Sequence, residues 1–280
     1  MPADPRGRNL RRPTRSILPE FLVLVVSVCL VFGGLEIYLR QSAAGKAKPY
    51  EGIETMPDVA DTYFQLIFLQ NYAGKKVWFT ADFDPQLGWD YQIASNRVRG
   101  GEKAGPKSES TLRIVTLGDS FTWGIDVGDR ENYPYYLEKT LQGAHRQPSE
   151  VLNMGVGSYG LDQAILKYGL HGQPLRPDLV VLGIFPHDYD RTRLSFYSYS
   201  KPLFRLDDAT GKYVLVNVPV PPPQEMYEML ARQHEGTASY ALVFLKNRLI
   251  KLFHSILSPS DPNQYYSTTD RLVEFLLTRL

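Results

Sequence analysis

Apolar residues are spread unevenly along the chain, and the sharpest feature comes first. From Ile17 to Tyr38 they are nearly continuous, with Phe21 to Phe32 uninterrupted by charge. About 20 such residues cross a bilayer core as a helix. Glu20 and Glu36 lie near the two ends of the run, where a carboxylate reaches the headgroups. Residues 41–60 are then polar and small, with Gly45, Lys46, Lys48, Pro49 and Gly52, and predict a linker. Tyr63 to Tyr72 is aromatic and apolar at mixed spacing, compatible with a short helix.

From there, short apolar runs alternate with segments of helical period. Ile114, Val115 and Leu117 form a β-rich run of the kind a strand covered on both faces needs, and Gly118 and Asp119 stand where it should stop. A helix is predicted from near Pro134 to Leu141, a second strand at Val151–Asn153 and a helix from Leu161 to Leu170. Pro177 to Phe185 is the strongest buried-strand pattern in the chain. This order predicts an α/β domain. Lys201–Leu206 and Lys212–Val218, joined by the turn Asp207–Gly211, read as a β-hairpin, and Pro219 to Pro223 as an extended connection. Helical segments follow around Glu225–Gln233 and Ser239–Leu257, and Leu272, Phe275, Leu276 and Leu280 make one face of a last helix.

Composition narrows the class. A chain of 280 residues that is 43% hydrophobic, with three Trp, 18 Tyr and 13 Phe, is not disordered and has room for one sizeable domain plus appendages. The formal charge is +1, but Arg6, Arg8, Arg11, Arg12 and Arg15 precede the apolar run against the single acid Asp4. Without them the 31 basic residues fall to 26 and the 30 acidic ones to 29, a body of net charge −3. A mildly acidic body without a basic stripe argues against nucleic acid as partner. The arginines instead place the amino terminus in the cytoplasm by the positive-inside rule, with the bulk of the protein outside. A cleaved signal peptide is the competing reading; the length of the run and the lack of a small-residue cleavage site favour an uncleaved anchor. Cys29, the single cysteine, excludes an intrachain disulfide and a cysteine-rich zinc site, and falls mid-span.

The candidate chemistry gathers at Arg113–Gly124. Here the first strand of the domain runs into Gly118-Asp119-Ser120-Phe121, a turn that presents the Ser120 hydroxyl where reacting groups collect, outside the carboxyl end of a strand. As a bare tripeptide, Gly-Asp-Ser is an ordinary turn. Gly118–Thr122 lacks the Gly-x-Ser-x-Gly spacing of the α/β-hydrolase nucleophile elbow. It resembles the first motif of the SGNH (GDSL) hydrolase family, in which the serine is the nucleophile. Asp84-Pro-Gln-Leu-Gly-Trp89, followed by Asn96 and Arg99-Gly100, is similar to the lead-in of membrane-anchored, extracytoplasmic members of that group. Met154–Gly160 matches the second motif, whose glycine N–H serves the oxyanion hole five residues after an asparagine matching Asn153. Ser158 holds that position here, so the hole falls at Gly157 or Ser158. Taken by itself, the same segment is a tight strand-to-helix turn. The third motif matches at His187-Asp188, with histidine where the family's asparagine donates to the oxyanion; an imidazole N–H also donates.

The resemblance implies a flavodoxin-like three-layer fold with a parallel central sheet behind one transmembrane helix. It divides the chain into a basic cytoplasmic tail (1–16), an anchor (17–39), a linker and lead-in (40–78) and the hydrolase-like domain (79–280). Ser120 is the implied nucleophile, the N–H groups of Ser120 and of Gly157 or Ser158 with His187 the oxyanion donors, and Asp119, Asn153 and Asp188 supporting residues. The fourth motif, Asp-x-x-His, is not matched: the residues three before His145, His171, His187, His234 and His254 are Gln142, Tyr168, Ile184, Ala231 and Lys251. A chain cut short before that motif, with the carboxyl-terminal part of the fold missing, is therefore expected. No cofactor or metal is expected.

Asp190, Arg191, Arg193 and Phe196–Tyr199 read either as a solvated loop or as a sugar-binding groove. Two functions follow: a membrane-anchored serine esterase or O-acyltransferase acting on a cell-envelope glycan or lipid ester, or a non-catalytic glycan-binding or scaffolding protein of the same fold.

Overall fold

The structure, a computed structural model, describes residues 18–43, 57–73, 81–91, 99, 105–144, 148–233, 239, 241, 242, 245, 249 and 262–280. The basic segment 1–16, Asn96 and most of the helix expected over 239–257 lie outside the described residues.

Helix α1 (Leu18–Ala43) carries the apolar run, and its stretch Phe21–Tyr38 is long and apolar enough to cross a membrane. Nothing in that stretch is buried by the rest of the protein. One polar contact departs from this pattern: the Glu36 carboxylate accepts from Ser239 Oγ at 2.8 Å and from the Ala241 N–H at 2.7 Å.

Helix α2 (Pro57–Ala73) begins inside the segment expected to be linker. It buries Tyr63, Leu66, Ile67 and Phe68, and Phe68 packs edge-on against Phe196 and Tyr199. Strands β1 (Asp82–Asp84) and β2 (Gly88–Asp90) form an antiparallel pair around the turn Pro85–Leu87, which the Asp84 carboxylate caps by accepting from the Gln86 and Leu87 N–H groups.

The central sheet is parallel, with β3 (Leu112–Leu117) in the middle, β4 (Ser149–Asn153) on one side and β5 (Leu179–Leu182) on the other. Helix α3 (Ser120–Trp123) and helix α4 (Tyr133–Ala144) lead from β3 to β4, and α5 (Leu161–Lys167) leads towards β5 through a π-helical turn and a 3-10 turn. The chain winds outward from β3 to β4 and then crosses back past β3 to β5. That reversal makes the carboxyl ends of β3 and β5 a topological switch point, where connecting loops part and leave a crevice. At the opposite end, Arg113 clamps the strands, donating to Glu150 at 2.5 Å and to the Leu175 carbonyl at 2.6 Å.

Strand β5, whose sequence has the strongest buried-strand pattern in the chain, is not buried. Leu179 is 52% exposed and Val180 to Leu182 are half-buried, because β5 pairs on one edge only among the described residues.

Helix α6 (Pro186–Arg191) follows β5 at the switch point. The hairpin forms as β6 (Leu203–Asp207) and β7 (Lys212–Val216), and α7 (Pro223–Gln233) packs on α2 through Tyr227 and Tyr72. The last helix, α8 (Pro262–Leu277), buries Leu272, Val273 and Leu276 against Leu161, Ile165 and Phe204. Leu280, expected on that face, lies past the helix end and is exposed.

Candidate functional site

Ser120 is the first residue of α3, directly beyond β3. Two local devices put it there. Gly118 has φ +148, and a β-carbon on it would fall 2.7 Å from the Gly183 carbonyl oxygen and closer still to Thr122, so the chain turns off the strand only with glycine. Asp119 then caps the helix, its side chain accepting from the Phe121 N–H at 2.9 Å. Gly124, left-handed at φ 79, ends the helix after one turn. Ser120 is half-buried.

Asn153, the last residue of β4, is buried and fully occupied by backbone. Its amide donates to the Thr122 carbonyl at 2.9 Å, and its oxygen accepts from the Gly155 N–H at 3.0 Å. It ties the loop after β4 to the serine helix. Within that loop the Tyr159 N–H reaches the Val156 carbonyl at 3.3 Å, which closes a turn with Gly157 and Ser158 at its centre. Ser158 occupies the left-handed region at φ 68, so a side chain is tolerated where glycine is usual. The N–H groups of Gly157 and Ser158 have no acceptor among the described residues. A β-carbon built on Gly157 would sit 4.0 Å from Ser120 Cβ, 4.0 Å from Ile125 Cδ1 and 3.2 Å from Tyr91 Oη. The bare face of Gly157 is thus turned to the serine.

His187, on the first turn of α6, is not engaged with Ser120. Its ring lies 5.3 Å from that of Phe185, which lies 4.7 Å from Phe121, and its Nδ1 is 3.7 Å from the Asp190 carboxylate. The imidazole is half-exposed. Asp188 is buried: its carboxylate accepts from the Phe185 N–H at 2.8 Å and from Arg191 at 3.1 Å. The same Arg191 Nη1 reaches Asp119 at 3.2 Å, so one guanidinium joins the serine turn to α6. Burial, chiefly, pushes the Asp188 carboxyl up to about 7, and the negative charge of Asp119 pushes in the same direction.

Both readings of residues 190–199 need correcting. Arg191 is spent on the two carboxylates, and Phe196 and Tyr199 lie in the core against Phe68. The Ser195 and Phe196 N–H groups are held by Asp61 of α2. This segment is neither a solvated loop nor a sugar groove, because the helix α2 covers it.

The structure also gives the Asp84–Trp89 motif a job that its sequence did not disclose. Trp89 is 1% exposed, and its indole N–H donates to the Gly157 carbonyl at 3.0 Å. Tyr159 Oη donates back to the Trp89 carbonyl at 2.6 Å. The amide of Gln163 on α5 donates to the Leu87 carbonyl at 2.8 Å, and Lys167 meets Asp90 at 2.7 Å with both side chains wholly buried. The motif is a buttress behind the Gly157–Ser158 turn. Two residues past the motif, Tyr91 brings its hydroxyl to the same face of Gly157 as Ser120.

No family model matches the chain, and no curated protein matches it in sequence. Among solved structures it is similar to AlinE4, described as an SGNH-hydrolase family esterase, at 25% identity and a TM-score of 0.26, over 30% of this chain and 46% of that one. A point mutant of the same esterase gives 25% identity and a TM-score of 0.27, over 31% and 46%. The matched part spans less than half of AlinE4, and overlap of that extent assigns neither activity nor residue roles.

Proposed function

We propose that the chain is a membrane-anchored, extracytoplasmic serine ester hydrolase or O-acyltransferase, with the Ser120 hydroxyl as nucleophile and a cell-envelope glycan or lipid ester as substrate. The observation that carries this reading is the pairing of a half-buried serine at the switch-point end of β3 with a turn whose two central N–H groups have no acceptor among the described residues. Such N–H groups stabilise the oxyanion of a tetrahedral intermediate, and the loss of one donor costs on the order of 100-fold in rate. In the reaction, Ser120 Oγ bonds to the acyl carbon as the carbonyl double bond opens, and its proton passes to a solvent water, which gives it to the departing alcohol. The carbonyl becomes an oxyanion facing the amides of Ser120 and of Gly157 or Ser158. Collapse expels the alcohol with a proton, and water or a second alcohol then takes the acyl group. His187, where the family resemblance puts an oxyanion donor, has its half-exposed ring 3.7 Å from the Asp190 carboxylate.

A second reading, a non-catalytic scaffold, is favoured by one observation: no imidazole or carboxylate hydrogen-bonds Ser120 Oγ among the described residues. A fluorophosphonate probe separates the two. Labelling of the full chain in detergent, abolished in Ser120→Ala, is the expected result. An unlabelled chain beside a reacting control hydrolase overturns the enzyme reading.

A further inference from the structure

Tyr91 forms a third wall of the serine site. Its ring stacks on Trp123 of the serine helix, with centroids 4.0 Å apart and planes 20° apart. Its backbone leaves the buttress strand β2, where the N–H is held by the Asp90 carboxylate at 2.8 Å. Ring and backbone are thus both fixed, and the phenol oxygen is the end left for other work: it makes no hydrogen bond among the described residues. It lies 3.2 Å from the point where a Gly157 side chain would begin, and Ser120 Cβ and Ile125 Cδ1 each lie 4.0 Å from that point. Because residue 157 is glycine, the space between phenol and serine stays open.

The charges around this space restrict what it can hold. The cation nearest the Trp123 stack is Arg99, 4.8 Å from the indole centroid. Its donors are committed to the Trp123, Gly124 and Val127 carbonyls and to Asp129. Among the described residues, an anionic group entering between Tyr91 and Ser120 would find a neutral phenol and an isoleucine methyl, while Arg99 is held by carbonyls and Asp129, and Arg191 by Asp119 and Asp188. A neutral hydroxyl would find a partner that both donates and accepts.

From this geometry we infer that Tyr91 binds a free hydroxyl on the alcohol side of the ester, so that the alcohol released is a neutral polyol and not an anionic one. This rests on the serine-ester reading above and adds the chemistry of the leaving group.

The test compares glycerol monobutyrate with propyl butyrate, which has the same acyl group and no free hydroxyl. Turnover by the full chain in detergent is measured with and without Tyr91→Phe, which keeps the ring on Trp123. One neutral hydrogen bond is worth about 1 kcal/mol, or roughly fivefold. The expected result is that Tyr91→Phe lowers kcat/KM for the glycerol ester about fivefold, leaves propyl butyrate unchanged, and changes neither the thermal midpoint nor the rate of fluorophosphonate labelling. An equal effect on both esters, or on neither, overturns the inference while labelling of Ser120 stands. Binding keeps the two claims separable if turnover fails. In the Ser120→Ala background, Tyr91→Phe should weaken glycerol monobutyrate about fivefold, and unchanged affinity refutes the role of Tyr91 whatever becomes of the nucleophile. Gly157→Ala supplies a second variant, because its methyl would sit 3.2 Å from the phenol oxygen and fill the space beside it; it should discriminate against the glycerol ester in the same direction.

Discussion

Asp119 and Asp188 face a single guanidinium, and two buried carboxylates beside one cation do not both stay ionised cheaply. Asp188 is the one whose carboxyl is raised, from 3.8 to about 7 in the folded chain, chiefly by burial. The linkage has a definite sign. A proton held by the folded state and released by the unfolded one favours folding most below about pH 4, and that advantage is lost as pH rises through about 7. Between about pH 5 and about pH 8 the unsubstituted chain should lose on the order of 2 kcal/mol that Asp188→Asn does not lose. Urea unfolding of both proteins at the two pH values measures it, and parallel pH dependence would refute the assignment.

At the scale of elements, β2 and α5 share the wholly buried pair Lys167 and Asp90. Removing one member leaves the other a buried charge without its counter-ion, at a cost of about 3–5 kcal/mol, while replacing both with apolar residues is often neutral. Lys167→Met should therefore unfold well below the unsubstituted chain by thermal melt, and Lys167→Met combined with Asp90→Leu should recover most of the loss. The buttress also shows what the sequence made legible and what it did not. The β3 turn, the β4 loop and the β5 end could be read locally, because glycine, aspartate and short apolar runs act over a few residues. Trp89 and Lys167 could not, since their partners lie 68 and 77 residues away and nothing local marks a tryptophan as a clamp. The exposure of β5 was missed for a related reason: Leu-Val-Val-Leu has the same pattern at the edge of a sheet as in its middle.

For the whole molecule, the proposed topology has the amino terminus in the cytoplasm and the hydrolase-like domain outside. With Cys29→Ser removing the single thiol, a membrane-impermeant maleimide added to intact cells should label Lys212→Cys, on the exposed hairpin, and spare Asn9→Cys until the membrane is permeabilised. The opposite pattern would invert the topology. Contacts between the Glu36 carboxylate and residues 203 and 205 positions later bear on how such a protein works. If α1 stands in a bilayer, that carboxylate is near its outer rim, and a part of the chain remote in sequence is fastened there. Such a fastening would hold Ser239 and Ala241 at the level of the outer headgroups, rather than leaving them free to drift away from the lipid surface.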